Sequence, residues 1–294
     1  MALGQDGNQL VNLIAIVAVA FVLLKFVYVI YRLTELSEAD YRTNVFSHFT
    51  LPGNLDAFLR KPWTILTYMF VHDGVMRVLG NLLWLWAFGF IMQDLMGNRK
   101  IIPLFVYGGF IGGAFFVLTY TLFFMNRPEF AMLEGSSAGV LAIAVATTML
   151  APRYRIFPML NGGIPLWVLT LIFVIIDFAS IPIHNTPAQV AHVMGALTGF
   201  FFIHQLRRDR DLGAALNYLF DSIGNLFNPA KKPIRQEKQK HFYKVGDTDP
   251  YKKVPNITQA RIDALLDKIS QKGYRSLSDE EKDILRRASE DDNL

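Results

Sequence analysis

The chain has no cysteine. That removes disulfides, Cys-ligated zinc and thiol nucleophiles together. It also has no His-Glu-x-x-His run, no paired aspartates inside its apolar runs and no glycine-rich phosphate loop. Metalloprotease, aspartyl protease and nucleotide-driven pump therefore lack support, and no metal or cofactor is expected. Charge is scarce between residues 10 and 205 and crowds the remainder. The overall hydrophobic share of 52% is only slightly high for a soluble protein. Its concentration in one part of the chain is what rules out a soluble core there.

What is present instead is a series of apolar runs of about 17–25 residues, enough to cross a hydrocarbon core of roughly 30 Å. We read six spans: about 10–31, 75–91, 103–124, 136–150, 165–181 and 186–204. A polar loop is expected over 32–67, with Glu35, Glu38, Asp40, Arg42, Arg60 and Lys61. Asp73 reads as the N-cap of the second span. The Asn161-Gly-Gly turn opens the fifth, and Thr186 followed by Pro187 reads as cap and first turn of the sixth. The first apolar run follows Gln5 and Asp6, is long and has no small-residue cleavage pattern, so it reads as a span and not a cleaved signal peptide.

An even number of spans puts both termini on one side. Arg99 and Lys100, Arg153 and Arg155, and Arg207, Arg208 and Arg210 follow spans two, four and six. Basic loops face the cytoplasm, so both termini are expected there. The net charge of +4 arises mostly after residue 206. Next to a membrane, such a segment is expected to meet anionic lipid and not nucleic acid. The chain divides into a membrane domain over 1–206, an amphipathic helix (211–228) and basic linker over 207–256, and a helical hairpin over 257–294. The hairpin starts at Thr258, breaks at Gly273 and restarts with a Ser278–Glu281 capping box. At about 35 residues it is a marginal fold, and a cytoplasmic partner for it is expected.

Two polar sites interrupt the apolar domain. Gly135-Ser136-Ser137-Ala138-Gly139 opens the fourth span. A hydroxyl at a helix N-terminus sits where unpaired N–H groups favour developing negative charge, which suits a serine nucleophile. The glycines, with Ala142 and Ala146, equally suit close helix packing. His192 lies about five residues into the sixth span, and an ionisable group there is costly without a function. Spans four and six run the same way, so Ser137 and His192 lie at similar shallow depth. Small residues Ala191, Gly195 and Gly199 would let the two spans press together. Arg77 and Asn81 share a face of the second span and supply donors; Arg77 snorkelling to the surface is the other reading of it. Asp177 near the outer end of span five either orients His192 or caps a loop. His72 either lines a water entrance or is an ordinary loop histidine. Ser136 is the alternative nucleophile.

Gly135 to Ser137, and Ala191 to Gly195, resemble the G-x-S and A-H-x-x-G motifs of the rhomboid family of intramembrane serine proteases. Asn81, followed by Trp84 and Trp86, matches a third motif in which Arg77 stands where the family usually has His. The resemblance covers about residues 10–205 and implies an all-α, six-helix membrane bundle. It implies Ser137 as nucleophile and His192 as base, a dyad with no carboxylate required. It implies that Asn81 and the Ser137 N–H hold the oxyanion, and Arg77 is a further oxyanion candidate in place of the usual His. Gly135, Asp177 and His72 are supporting candidates by their positions in this chain. Substrates would be single-span membrane proteins cut near the outer face of a bacterial inner membrane. A second departure is Leu141, where a Tyr that stacks on the histidine is common. The alternative is a non-catalytic member that binds or scaffolds membrane spans.

Overall fold

The computed structural model describes residues 8–128, 131–156, 163–182, 185–226 and 259–290. Gln5, Asp6, Asn161, Gly162, Phe227, the expected linker over 229–254 and Thr258 lie outside them. The chain forms two compact units, 1–246 and 247–294.

In the first unit, α1 (Gln9–Leu33) starts at Asn8, whose side chain accepts from the N–H groups of Leu10 and Val11. That satisfies donors a helix start leaves orphaned. The segment expected as a polar loop is largely folded into α2 (Glu38–Asn44), α3 (Leu55–Arg60) and α4 (Thr64–Thr67). These helices are too short for apolar periodicity to reveal. Their caps explain two of them: Ser37 and Asp40 form a capping box, and Asn54 caps α3.

The long helices follow. α5 (Val75–Met96) is capped by Gly74 and not by Asp73, which turns to pair with arginines. α6 (Ile101–Phe123), α7 (Ser137–Leu150) and α8 (Leu166–Ser180) come next, then α9 (Thr186–Leu206). The cap of α9 is Asn185, which accepts from the Ala188 N–H, one residue earlier than expected. α1, α5, α6 with its leading turn, and α9 are long and apolar enough to cross a membrane; α7 and α8 are shorter apolar helices.

α7 is the hub. Val140, Ala142, Ile143, Ala144 and Ala146 are wholly buried in it. Small residues let its neighbours approach. A Cβ on Gly108 or Gly112 of α6 would stand 2.4 Å from Ala142 Cβ or 2.7 Å from the Ala191 carbonyl. A Cβ on Gly195 or Gly199 of α9 would meet the carbonyl oxygens of Ala138 and Ala142 at 2.3 and 2.1 Å. Backbone-to-backbone packing of this kind is what small residues provide where lipid offers no hydrophobic drive. α8 contributes a single buried stripe: Leu166, Thr170, Phe173 and Asp177.

Two short ladders tie loops to the bundle. β1 (Leu51–Pro52) pairs antiparallel with β2 (Met132–Leu133), just before the Gly135 turn. β3 (Arg155–Ile156) pairs with β4 (Ile164–Pro165) ahead of α8. α10 (Gly213–Leu226) is anchored on the start of α6. Asn217 donates to the Arg99 carbonyl at 2.8 Å, Arg99 pairs with Asp221 at 2.6 Å, and Lys100 pairs with Asp211. Tyr218, Leu219 and Phe220 remain exposed.

In the second unit, α11 (Gln259–Lys272) ends at Gly273, whose φ of +79° suits a residue without Cβ. α12 (Asp279–Glu290) begins with the expected box: Ser278 N–H donates to Glu281 at 2.7 Å, and the Glu281 N–H to Ser278 Oγ at 3.3 Å. Leu265, Leu277 and Ile284 form its small core.

Candidate active site

The Gly135 turn delivers the chain to α7. Its φ of +104° is left-handed, and its N–H donates to the Tyr68 carbonyl at 2.9 Å. Tyr68 is itself held, its hydroxyl donating to the Gly109 carbonyl at 2.6 Å. The turn is therefore braced from α6. Ser136 is the N-cap of α7 and Ser137 its first residue. The N–H groups of that first turn have no intrahelical acceptor, so they face the site as donors.

Four polar side chains meet around the turn. Ser137 Oγ donates to Asn81 Oδ1 at 3.1 Å. Asn81 Nδ2 stands 3.0 Å from His72 Nε2. The Ser136 N–H donates to the same Nε2 at 3.3 Å, and Ser136 Oγ lies 3.4 Å from it. Burial, with the Arg77 charge, pushes His72 down to about 4, so its ring is neutral at physiological pH. A neutral imidazole has one acceptor nitrogen, and Nε2 fills that role here.

His192 enters from α9. It is buried, and its Nδ1 lies 2.5 Å from Asp177 Oδ2 of α8. The edge of Phe178 closes on its ring, with 6.5 Å between centroids. Gly195, one turn on, packs on the backbone of Ala138, the residue after Ser137. Packing thus sets His192 beside the start of α7. Among the described residues, the Ser137 hydroxyl goes to Asn81, and the His192 hydrogen bond goes to Asp177. No hydrogen bond joins Ser137 to His192 among the described residues.

Arg77 does not join this group. Its guanidinium pairs with Glu134 at 2.8 Å and Asp73 at 3.1 Å, and its side chain is 57% exposed. The expectation that it would donate to an oxyanion meets a plain obstacle: the side-chain oxygens of Asp73 and Glu134 already hold it at the rim. The residue that comes to Asn81 is His72, from the loop before α5. In the sequence His72 is a loop histidine with no fixed neighbour, because nine residues and a chain turn separate it from Asn81.

Glu134 carries a pH prediction. Burial and the Asp73 carboxylate push its carboxyl up to about 8; Arg77 and Arg42 pull the other way without prevailing. A carboxyl raised in the fold favours the protonated fold, so its contribution is complete below 4.5 and is lost as pH rises to about 8. Melting of the purified protein is expected at a lower temperature near pH ~9 than near pH ~6. Glu134→Gln should remove part of that fall, and an unchanged slope in the variant would refute the assignment.

Comparison with known proteins bears on the family. The model of the rhomboid domain matches residues 59–208, and a family of unknown function (DUF6576) matches 249–291. The Rhomboid protease GlpG of Yersinia pseudotuberculosis is 26% identical over 155 residues, 53% of this chain and 51% of that protein. The Rhomboid protease GlpG of Haemophilus influenzae is 23% identical over 140 residues, 48% of this chain and 67% of that protein. The chain thus spans about half the length of the Yersinia relative. With a domain model covering half of its length, and a serine turn and buried histidine packed together inside that match, this chain belongs to the rhomboid family.

Proposed function

We propose that this protein is an intramembrane serine endopeptidase that cuts single-span membrane proteins near the outer face. The observation that carries the reading is Ser137 at the first turn of α7, with α9 pressed against it at Gly195 and His192 one turn away. In this reading six helices cross the bilayer, the termini lie in the cytoplasm, and the membrane is a bacterial inner membrane. The exposed apolar residues of α10 rest on lipid.

Ser137 Oγ attacks the scissile carbonyl and His192 Nε2 takes its proton. A C–O bond forms while the carbonyl oxygen becomes an oxyanion. The oxyanion collapses, the C–N bond breaks, and the proton passes to the leaving amine. Water then attacks the acyl-enzyme, gives its proton to His192, and releases the acid and the serine. The oxyanion needs donors, and the Ser137 N–H is one. Asn81 presents Oδ1 to the serine and Nδ2 to His72. The amide nitrogen carries two N–H donors, so one can stay on His72 Nε2 while the other meets the oxyanion. His72→Ala leaves the amide without this partner; kcat is expected to fall about tenfold, the worth of one hydrogen bond. Steady-state cleavage of a model span tests this, and an unchanged kcat would remove His72 from the site.

The function itself is tested by reconstituting the full chain in liposomes with a panel of single-span proteins, and by reaction with a fluorophosphonate. Cleavage and labelling are expected, with the label absent from Ser137→Ala. A folded wild-type protein that takes no label and cuts no span would leave the scaffold reading.

A further inference from the structure

The dyad that the family resemblance implies has no carboxylate, and a tyrosine commonly braces its histidine. This chain has Leu141 at that position, wholly inside the core. A leucine offers no aromatic face and no hydroxyl, so the imidazole needs support from elsewhere. The structure has such a support. Asp177 is the outermost member of the buried stripe on α8, and its Oδ2 lies 2.5 Å from His192 Nδ1. Both side chains are at least nine-tenths buried.

A carboxylate on an apolar helix is expensive unless it is paired. The stripe below it is Leu166, Thr170 and Phe173, any of which would be cheaper at position 177. The Ser180 hydroxyl donates to the Asp177 backbone carbonyl at 2.6 Å and leaves the carboxylate free for the ring. α8 is otherwise held by apolar contacts, such as Phe173 stacked on Trp84 at 4.8 Å. A carboxylate facing Nδ1 accepts the proton there. That leaves Nε2 bare, in the tautomer a general base requires, and it balances the imidazolium that forms when the serine is deprotonated.

We infer that Asp177 is a positioning residue that turns the Ser137–His192 pair of this chain into a three-membered relay, in place of the aromatic brace lost at Leu141. The inference rests on the protease reading above. It also gives α8 a second duty. Because the carboxylate arrives on a different helix from the imidazole, a shift of α8 away from α9 would separate them, so the competence of the base is tied to the seating of α8.

Its test uses the full chain in lipid nanodiscs with fluorophosphonate labelling, cleavage of a model span and nitrogen NMR of labelled histidines. Asp177→Asn keeps size and removes charge. It should lower kcat on the order of 10³-fold with KM within about twofold, and slow labelling in parallel. Asp177→Glu should recover part of that loss. In the wild-type protein at mildly alkaline pH, His192 should carry its proton on Nδ1, its signal assigned by loss in His192→Gln. That measurement does not depend on how the Asp177 variants fold. A wild-type protein that labels, with Asp177→Asn labelling as fast, overturns the inference and leaves the protease reading standing. So does a wild-type His192 protonated on Nε2. A wild-type protein that never labels overturns the protease reading and the inference with it.

Discussion

Ser137→Ala is expected to lower kcat by on the order of 10⁶-fold, and His192 replaced by alanine by nearly as much. Combining them should cost little more than either alone. The reason is that the two groups act in one event. Without the hydroxyl there is no proton for the imidazole to take; without the imidazole the hydroxyl is a poor nucleophile. A factor of that size is about 8 kcal/mol of barrier, more than any single hydrogen bond supplies. Ser136→Ala makes the discriminating control. Ser136 also carries a hydroxyl near an imidazole, 3.4 Å from His72 Nε2. Its position is different: it is the N-cap of α7, almost wholly buried, and its N–H is tied to the same ring. Its replacement should cost no more than about tenfold, the worth of one hydrogen bond. Cleavage by Ser137→Ala and none by Ser136→Ala would transfer the nucleophile's role to Ser136, with His72 as its base.

That contrast marks what could be read from residues alone. Ser137 and His192 stood out because each breaks a local rule: a hydroxyl pair between glycines at a span start, and an ionisable ring inside an apolar run. The helices were legible for a similar reason, since each apolar run is bounded by turn and cap residues. α5 to α9 begin within about two residues of the expected positions. The partners of the polar groups were another matter. Arg77 sits one turn above Asn81 in sequence, so a shared helix face was a fair expectation. Its direction is decided by Glu134, which lies 57 residues away and is delivered by the β1–β2 ladder. Asp177 could be placed at the right end of its helix but not turned toward His192, because rotation of α8 depends on what packs beneath it. The folded loop between α1 and α5 was hidden for a simpler reason: helices of one or two turns leave no period to detect, and only their caps betray them.

The small-residue seam between α7 and α9 is where fold and chemistry share one determinant. Gly195→Ala and Gly199→Ala are each expected to destabilise the bundle by about 1–3 kcal/mol, the usual cost of overpacking. A methyl at either site meets backbone and not a side chain that could swing aside: Ala138 oxygen at 2.3 Å and carbon at 2.8 Å, or Ala142 oxygen at 2.1 Å and carbon at 2.8 Å. The helices must therefore part. Gly80 of α5 provides the control, since a Cβ there meets nothing within 4 Å. Gly80→Ala should leave melting unchanged or slightly raised, as removing chain freedom predicts. The two seam sites should differ in activity. Gly195 lies one turn from His192 and touches the residue after Ser137, so parting the helices there moves nucleophile and base apart directly. A displacement near 1 Å is enough to cost about 10²-fold in rate. Gly199 lies a further turn along the helix and should lose stability with a smaller loss of kcat. Thermal melting and cleavage rates of the three variants check this together. Equal kcat losses at 195 and 199 would show that the seam serves only the fold, and a wild-type melting temperature for both would show that the two helices are not pressed together as described.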